Sequence, residues 1–374
     1  MKSNTNPTSP KITVIIPVYN AGRYLQECLK SVCQQSLQDI EIFCVNDGSD
    51  DDSLKILRSF QRQDERIHVV NQAHLGVFEA RNRAIKEGHG EYVCFMDADD
   101  LYPNNTTLAL LYNKAISYQA LICGGSMRQF DDNGSWEKFE GIFSKYTFDE
   151  EKMISFFDYQ FDFGYQRFLF QRKFLIKNNI FFPHYTRFQD PPFFLKAMIL
   201  AKRFLAIPQV TYCYRCGHQT DPMQWPLVKI GDMVKGWIDV LNLSKKYQLA
   251  TMHSVAVEHV EDPYTFNAVL QKMYENESTI LSLLVEANAA VDTTLLKQVR
   301  SDLAEERQYV IKELRDAVNN HIILNREYSV LNDRYHCLQY DFEQMSHSLS
   351  FNIGPALYNF YAASEVDEAS LHKA

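Results

Sequence analysis

Apolar residues recur in short, strand-like runs separated by helical spacing through the first hundred positions. Ile12–Val18 is a β-rich run, and Tyr24, Leu25, Cys28, Leu29 and Val32 then follow helical spacing. Ile40–Val45 reads as a second strand. Ser53 opens a helix after an acidic turn, with Leu54, Leu57 and Phe60 on one face. Ile67–Val70, a helix over Val77–Glu87 and a fourth strand over Tyr92–Met96 complete a βαβαβαβ order. Such alternation predicts an α/β fold: a mainly parallel sheet with helices on both faces. Ligands of these sheets sit beyond the carboxyl ends of the strands.

Residues 104–220 are less regular. A helix over Thr106–Tyr118, a strand over Ala120–Gly124 and a polar turn at Asp131–Gly134 precede aromatic-rich segments read as helices. A further strand is expected over Gln209–Tyr214. Pro222 and Pro226 suggest a boundary, giving a lead-in over 1–10 read as disordered, a domain over 11–222 and an all-helical extension over 223–374. Val310, Leu314, Ala317, His321, Leu324, Tyr328, Leu331, Tyr335, Leu338, Phe342 and Met345 follow 4 and 3 spacings. That pattern fits either an amphipathic helix on the protein's own body or a coiled coil over 303–346 that forms a homodimer.

Composition narrows the classes. Across 374 residues there are 47 acidic and 38 basic side chains, a net charge of −9, so a nucleic-acid partner is not expected. No apolar run reaches the 18 or more residues of a membrane span. The N-terminus lacks the apolar core of a signal peptide, and the eight cysteines are scattered, so a cytoplasmic location is expected. A peripheral place at the inner membrane face stays open. Aromatics reach 13% and crowd Phe139–Phe204.

Candidate chemistry lies at the strand ends. Asp97-Ala-Asp99-Asp100 follows the fourth strand, and clustered hard oxygens suit Mg²⁺ or Mn²⁺. A solvated acidic turn would look the same. Asn46–Ser53 is a second acidic turn, in which Gly48 permits a tight bend and Ser53 could cap the next helix. Pro17-Val-Tyr-Asn20 ends the first strand. These ends could hold a nucleotide, with Tyr19 stacking on a base, Asp47 accepting from its edge, and Arg81 adding a cation. No Gly-x-x-x-x-Gly-Lys-Ser/Thr or Gly-x-Gly-x-x-Gly motif occurs, which excludes a P-loop NTPase and argues against a dinucleotide oxidoreductase.

Ile16-Pro-Val-Tyr-Asn20, Val45-Asn-Asp-Gly-Ser-Asp50, Ala80-Arg-Asn82 and Asp97-Ala-Asp99 occur in the order and spacing of a known family. Over residues 10–220 the chain resembles the family 2 glycosyltransferases of the GT-A fold. The resemblance implies an inverting enzyme that moves a sugar from a nucleotide-sugar donor to a hydroxyl of a glycan or lipid-linked glycan. It implies Asp47 on uracil, Asp97 and Ala98 near the nucleotide, and Asp99 on Mn²⁺ or Mg²⁺. The match to its catalytic carboxylate is Phe188-Gln-Asp-Pro-Pro-Phe193, making Asp190 the general base, with Gln189 where the family usually carries Glu. A helix cap is the plain alternative for Asp190. Arg215 and His218 fall where relatives place a cation over the diphosphate or a further metal ligand. Phe161–Phe170, with Arg167, resembles a block that relatives place on the acceptor side, and each of its phenylalanines fits hydrophobic core at least as well. A degenerate scaffold acting through its helical tail is the competing reading.

Overall fold

The computed structural model describes residues 9–300, apart from 135, 138, 140, 219, 262–266, 270 and 273–277, and residues 330–338 apart from 332. The chain divides into two compact units, Met1–Tyr309 and Val310–Ala374. The expected lead-in over 1–10 and coiled coil over 303–346 fall largely outside the described residues. Within the second unit, Val330, Leu331, Tyr335 and Leu338 are exposed.

In the first unit the predicted alternation is present. It runs β1 (Ile12–Val18), α1 (Leu25–Cys33), β2 (Ile40–Asp47), α2 (Ser53–Gln61), β3 (Ile67–Gln72), α3 (Val77–Glu87), β4 (Tyr92–Phe95) and α4 (Thr107–Ser117). Every residue of β1 and β2 is buried, as expected for parallel strands covered on both faces. α1 turns Leu25, Cys28, Leu29 and Val32 inward, the stripe that its spacing predicts.

The aromatic half departs from the expected helices. It supplies β5 (Ile122–Phe130), β6 (Trp136–Glu137), β7 (Lys152–Ser155), α5 (Phe156–Tyr159), β8 (Phe168–Gln171), α6 (Arg172–Lys177), α7 (Asp190–Ala201) and β9 (Arg203–Arg215). The sheet order is β3-β2-β1-β4-β8-β5-β9-β7, with β6 on β5. β8 runs antiparallel between β4 and β5. β1 lies between β2 and β4, parallel to both. The chain order reverses there, so a crevice opens above the ends of β1 and β4.

α8 (Leu227–Lys246), α9 (Ala250–Glu261), α10 (Ser278–Ala290) and α11 (Thr293–Lys297) follow. Val240, Leu241, Met252 and Val255 share one core with Phe95, Phe168 and Phe193 of the sheet layer. The helices beyond residue 222 therefore continue the core of the domain before it.

The aromatic block is that core. Phe182 stacks on Phe193 at 3.9 Å, and Phe95 and Tyr165 pack around them. Phe161, Phe168 and Phe170 are fully buried. Arg167 is buried too, donating to the carbonyls of Gly125, Lys145 and Tyr146 and to the Tyr159 hydroxyl. The expected acceptor border at Phe161–Phe170 is thus mostly interior, because its rings have more to gain from mutual packing than from solvent.

Candidate active site

The three carboxylates after β4 have different partners. Asp100 is buried and accepts from the Tyr212 hydroxyl at 2.6 Å and the Arg215 amide at 2.6 Å. Burial and the neighbouring Asp99 and Asp97 push its pKa well above the ordinary range. Asp97 accepts from Arg81 Nη2 at 2.7 Å and from Gln166 Nε2 at 3.0 Å. Asp99 is the more open one. Its Oδ2 lies 2.7 Å from His218 Nε2, with the two side chains 35% and 23% exposed. Burial and Asp97 raise the Asp99 pKa, while the His218 contact opposes that shift.

Asp99 and His218 fit a divalent ion. One carboxylate oxygen and one imidazole nitrogen converge, and His218 Nδ1 is buried without a partner among the described residues. That mixed O/N set suits Mn²⁺ better than Mg²⁺. No third His, Cys, Asp or Glu completes a cluster among the described residues, so substrate phosphates and water would supply the remaining positions.

Arg215, expected over the diphosphate, is 6% exposed and tied to its neighbours. Its Nε donates to the Asp99 carbonyl at 2.8 Å, Nη1 to Asp132 at 2.9 Å and Nη2 to Glu27 at 2.5 Å. It clamps the backbone of the Asp-x-Asp turn to α1 and to the turn after β5. A partner-rich buried guanidinium of this kind is a fixed structural tie.

The nucleotide side is assembled at the ends of β1 and β2. Pro17 is within β1, and Tyr19 just beyond it is 50% exposed, stacked on His74 at 4.1 Å. Asp47 is buried, and its carboxylate accepts from Gln72 Nε2 and the amides of Leu75 and Gly76 at 2.8–2.9 Å, while His74 Nδ1 lies 3.0 Å from the Asp47 carbonyl oxygen. Gly76 takes φ +98, a conformation open to glycine, and this aims both amides at Asp47. Asp47 thus organises the loop that faces Tyr19. Ser53 does not cap α2. Its hydroxyl accepts from the Ala21 amide, and Asp51 accepts from the Ser53 amide instead. Ala98 is 7% exposed, in the turn between Asp97 and Asp99.

Arg81 joins this side to the base. It is 6% exposed, lies over the Tyr165 and Phe182 rings, and leaves Nε and Nη1 without partners among the described residues. Burial disfavours its charge, but Tyr165, Asp97 and Asp190 outweigh that, and its pKa rises.

Asp190 is the first residue of α7. Gln189 occupies the cap position and no side-chain capping bond forms, so Asp190 is not the helix cap. Burial raises the Asp190 pKa, with Arg81 and Arg187 pulling against it. No other side chain among the described residues hydrogen-bonds its carboxylate, which leaves it available to accept a proton.

Helix α8 holds the loop before Asp190. Asp232 accepts from the Thr186 amide and hydroxyl, and Asp239 from the Tyr185 hydroxyl. Phe188 takes φ +60 between Phe163 and Trp237, the kind of backbone strain often stored near functional groups. A further carboxylate escaped the sequence reading. Asp162 is 1% exposed, and neither oxygen has a partner among the described residues. Burial foremost, and Asp190 nearby, push its pKa to about 7.

The family model "Glycosyl transferase family 2" matches residues 13–177. The glycosyltransferase EpsJ of Bacillus subtilis is 32% identical over 212 residues, 55% of this chain and 61% of EpsJ. The glycosyltransferase GlyG of Streptococcus pneumoniae is 30% identical over 215 residues, 55% of this chain and 71% of GlyG. The chain thus spans less than two thirds of EpsJ. The crystal structure of S. aureus TarS 1-349 in complex with UDP-GlcNAc superposes with a TM-score of 0.63 at 20% identity, over 83% of this chain and 90% of that one. That likeness concerns the fold. With the family motifs in place at the ends of β1, β2 and β4, the chain belongs to the family 2 glycosyltransferases, on a GT-A fold.

Proposed function

We propose that this protein is an inverting, metal-dependent glycosyltransferase. It moves a sugar from a nucleotide-sugar, a UDP-sugar, to a hydroxyl of a glycan or lipid-linked glycan in surface-polysaccharide synthesis at the cytoplasmic side of the membrane. The observation that carries this reading is the convergence on Arg81: it pairs with Asp97 at one side and feels the Asp190 carboxylate at the other. UDP-GlcNAc on S. aureus TarS supports a uridine donor.

The acceptor hydroxyl gives its proton to Asp190 as its oxygen attacks the donor's anomeric carbon. The bond from that carbon to the diphosphate breaks, and its electron pair leaves with the phosphate oxygen. Attack opposite the leaving group inverts the configuration. Burial makes Asp190 a stronger base than an ordinary aspartate. Asp99 and His218 would hold a divalent ion, which would supply charge neutralisation for the departing diphosphate. Pro17, Tyr19 and the Asp47 loop border the nucleoside, Arg81, Asp97 and Ala98 the sugar-phosphate junction. Arg215 contributes by fixing the Asp99 backbone. The tail beyond residue 310 is an accessory, and a homodimer through it is part of this proposal.

Calorimetry with UDP and GDP, each with and without Mn²⁺, tests the reading. We expect Mn²⁺-dependent binding of UDP. Folded protein that binds neither nucleotide would favour the degenerate-scaffold reading.

A further inference from the structure

A pocket of about 280 Å³ lies between the first turns of α3 and the segment that leads to Asp190. Leu75, Phe78, Glu79, Asn82, Phe182 and His184 line it. Its walls are fixed from both halves of the site. The Leu75 amide donates to Asp47 at 2.8 Å, in the loop that borders the nucleoside. Asn82 donates to the Phe182 carbonyl at 2.8 Å and accepts from the Phe182 amide at 2.9 Å. The Phe182 ring stacks on Phe193 at 3.9 Å, and Phe193 stands three residues into the helix that Asp190 opens. Residues three apart share a helix face, so Asp190 and the ring behind the pocket lie on one side of α7.

The lining has a distinct chemistry. Leu75, Phe78 and Phe182 supply apolar surface, and Leu75 is 53% exposed at the rim. Glu79 and His184 supply polar groups. The His184 ring rests on Phe78 at 4.2 Å. Among the described residues, neither the Glu79 carboxylate nor the His184 imidazole forms a hydrogen bond or ion pair. No lysine or arginine lines the pocket among those residues. A carboxylate without a cation beside it repels phosphates and carboxylates, and it accepts strong, charge-assisted hydrogen bonds from hydroxyls.

Apolar walls with a few convergent polar groups are the make-up of a small-molecule site. A pyranose ring matches this lining, with C–H bonds on its faces and hydroxyls around its rim. Ligand pockets run from about 300 Å³ upward, so this one suits a single ring rather than a chain. We propose that the pocket binds a neutral sugar ring of the acceptor, with Glu79 and His184 on its hydroxyls. It holds that ring between the nucleoside loop and the base loop, where the attacking hydroxyl is presented to Asp190. The acceptor is then a glycan that is uncharged next to the hydroxyl it offers. This inference rests on the glycosyltransferase reading and names the acceptor's chemistry.

The test uses the full chain saturated with UDP and Mn²⁺. Four probes are titrated by calorimetry: octyl glucoside, octyl galactoside, octyl N-acetylglucosaminide and octyl phosphate. The same titrations are run on Glu79→Ala and His184→Ala. We expect at least one glycoside to bind more tightly than octyl phosphate, and to lose about tenfold or more in each variant. UDP affinity should hold within about twofold, which also reports that the variants are folded. Glycosides that do not bind, or that bind the variants as they bind the parent, overturn the proposal. Octyl phosphate that binds as tightly as the best glycoside overturns it too, since the pocket would then read only the alkyl chain. A variant that loses UDP affinity assigns the pocket to the donor and likewise ends the proposal. If the parent chain binds no UDP, the transferase reading fails separately, and the glycosides titrated without nucleotide still test the pocket.

Discussion

The carbonyl oxygen of Phe188 lies 2.5 Å from the place where a β-carbon on Gly236 would stand. Real β-carbons do not come that close, so α8 can approach the base loop only because residue 236 is glycine. Asp190 is two residues further on. Gly236→Ala should therefore push Phe188 away and shift Asp190 with it. A displacement of about 1 Å at a reacting group can cost about a hundredfold in rate. We expect kcat to fall on that scale, with UDP affinity unchanged because the nucleotide side is made by β1 and β2. Steady-state kinetics alongside UDP calorimetry decides. A variant with parental kcat would show that the loop position does not depend on this contact.

The same contact explains what the sequence concealed. β2 and β4 are legible because continuous apolar runs end in acidic turns, β1 because its apolar run ends at Tyr19-Asn20, and α3 is found over its predicted Val77–Glu87. β8 was obscured because Phe168–Gln171 is four residues long, too short for strand and helix periods to differ. The tie between Thr186 and Asp232 spans 46 residues, and no local pattern announces it. Pro222 and Pro226 look like a boundary, yet α8 beyond them packs on the sheet core. Arg215 sits at a plausible position for diphosphate, and only the fold shows that its guanidinium meets Asp99, Asp132 and Glu27. Asp162 gave no signal: a lone aspartate between two phenylalanines reads as ordinary until its burial is known.

Asp190→Asn isolates proton transfer. The amide keeps the shape of the side chain and cannot take a proton. General-base loss typically costs 10²–10⁴-fold, so about a thousandfold fall in transfer is expected, with UDP affinity held. Transfer at the parent rate would mean that another group is the base.

The acid limb of the rate profile follows from the Asp190 shift. Only the ionised carboxylate is a base, and burial raises its pKa. Activity should therefore fall as pH drops through a value above that of an ordinary aspartate. Removing the opposing Arg187 charge should raise that value further. The kcat/KM profiles of the parent and of Arg187→Gln test this, and identical acid limbs would contradict it.

Asp99→Ala and His218→Ala examine the metal pair. Each removes one of two converging donors, so Mn²⁺-dependent UDP binding should weaken at least tenfold in either variant. Metal-free UDP binding should change less. If both variants bind UDP with parental Mn²⁺ dependence, the ion is held elsewhere.

Asp162 makes a prediction about stability. An unfolded aspartate ionises near pH 3.9, whereas burial pushes Asp162 in the fold to about 7. Between those values the unfolded chain has released the proton and the folded chain retains it. Rising pH therefore favours unfolding: the stability that neutral Asp162 permits is whole below about pH 4 and is lost as pH rises through about 7. A gap of about three pH units corresponds to roughly 4 kcal/mol. Asp162→Asn stays neutral throughout and escapes this loss. Its urea midpoint relative to the parent should accordingly be more favourable at pH 8 than at pH 4.5. The comparison between the two pH values cancels whatever the amide itself changes in packing. A midpoint difference that does not vary with pH would show that Asp162 ionises alike in both states, and that its carboxylate has a partner in solution which its burial conceals.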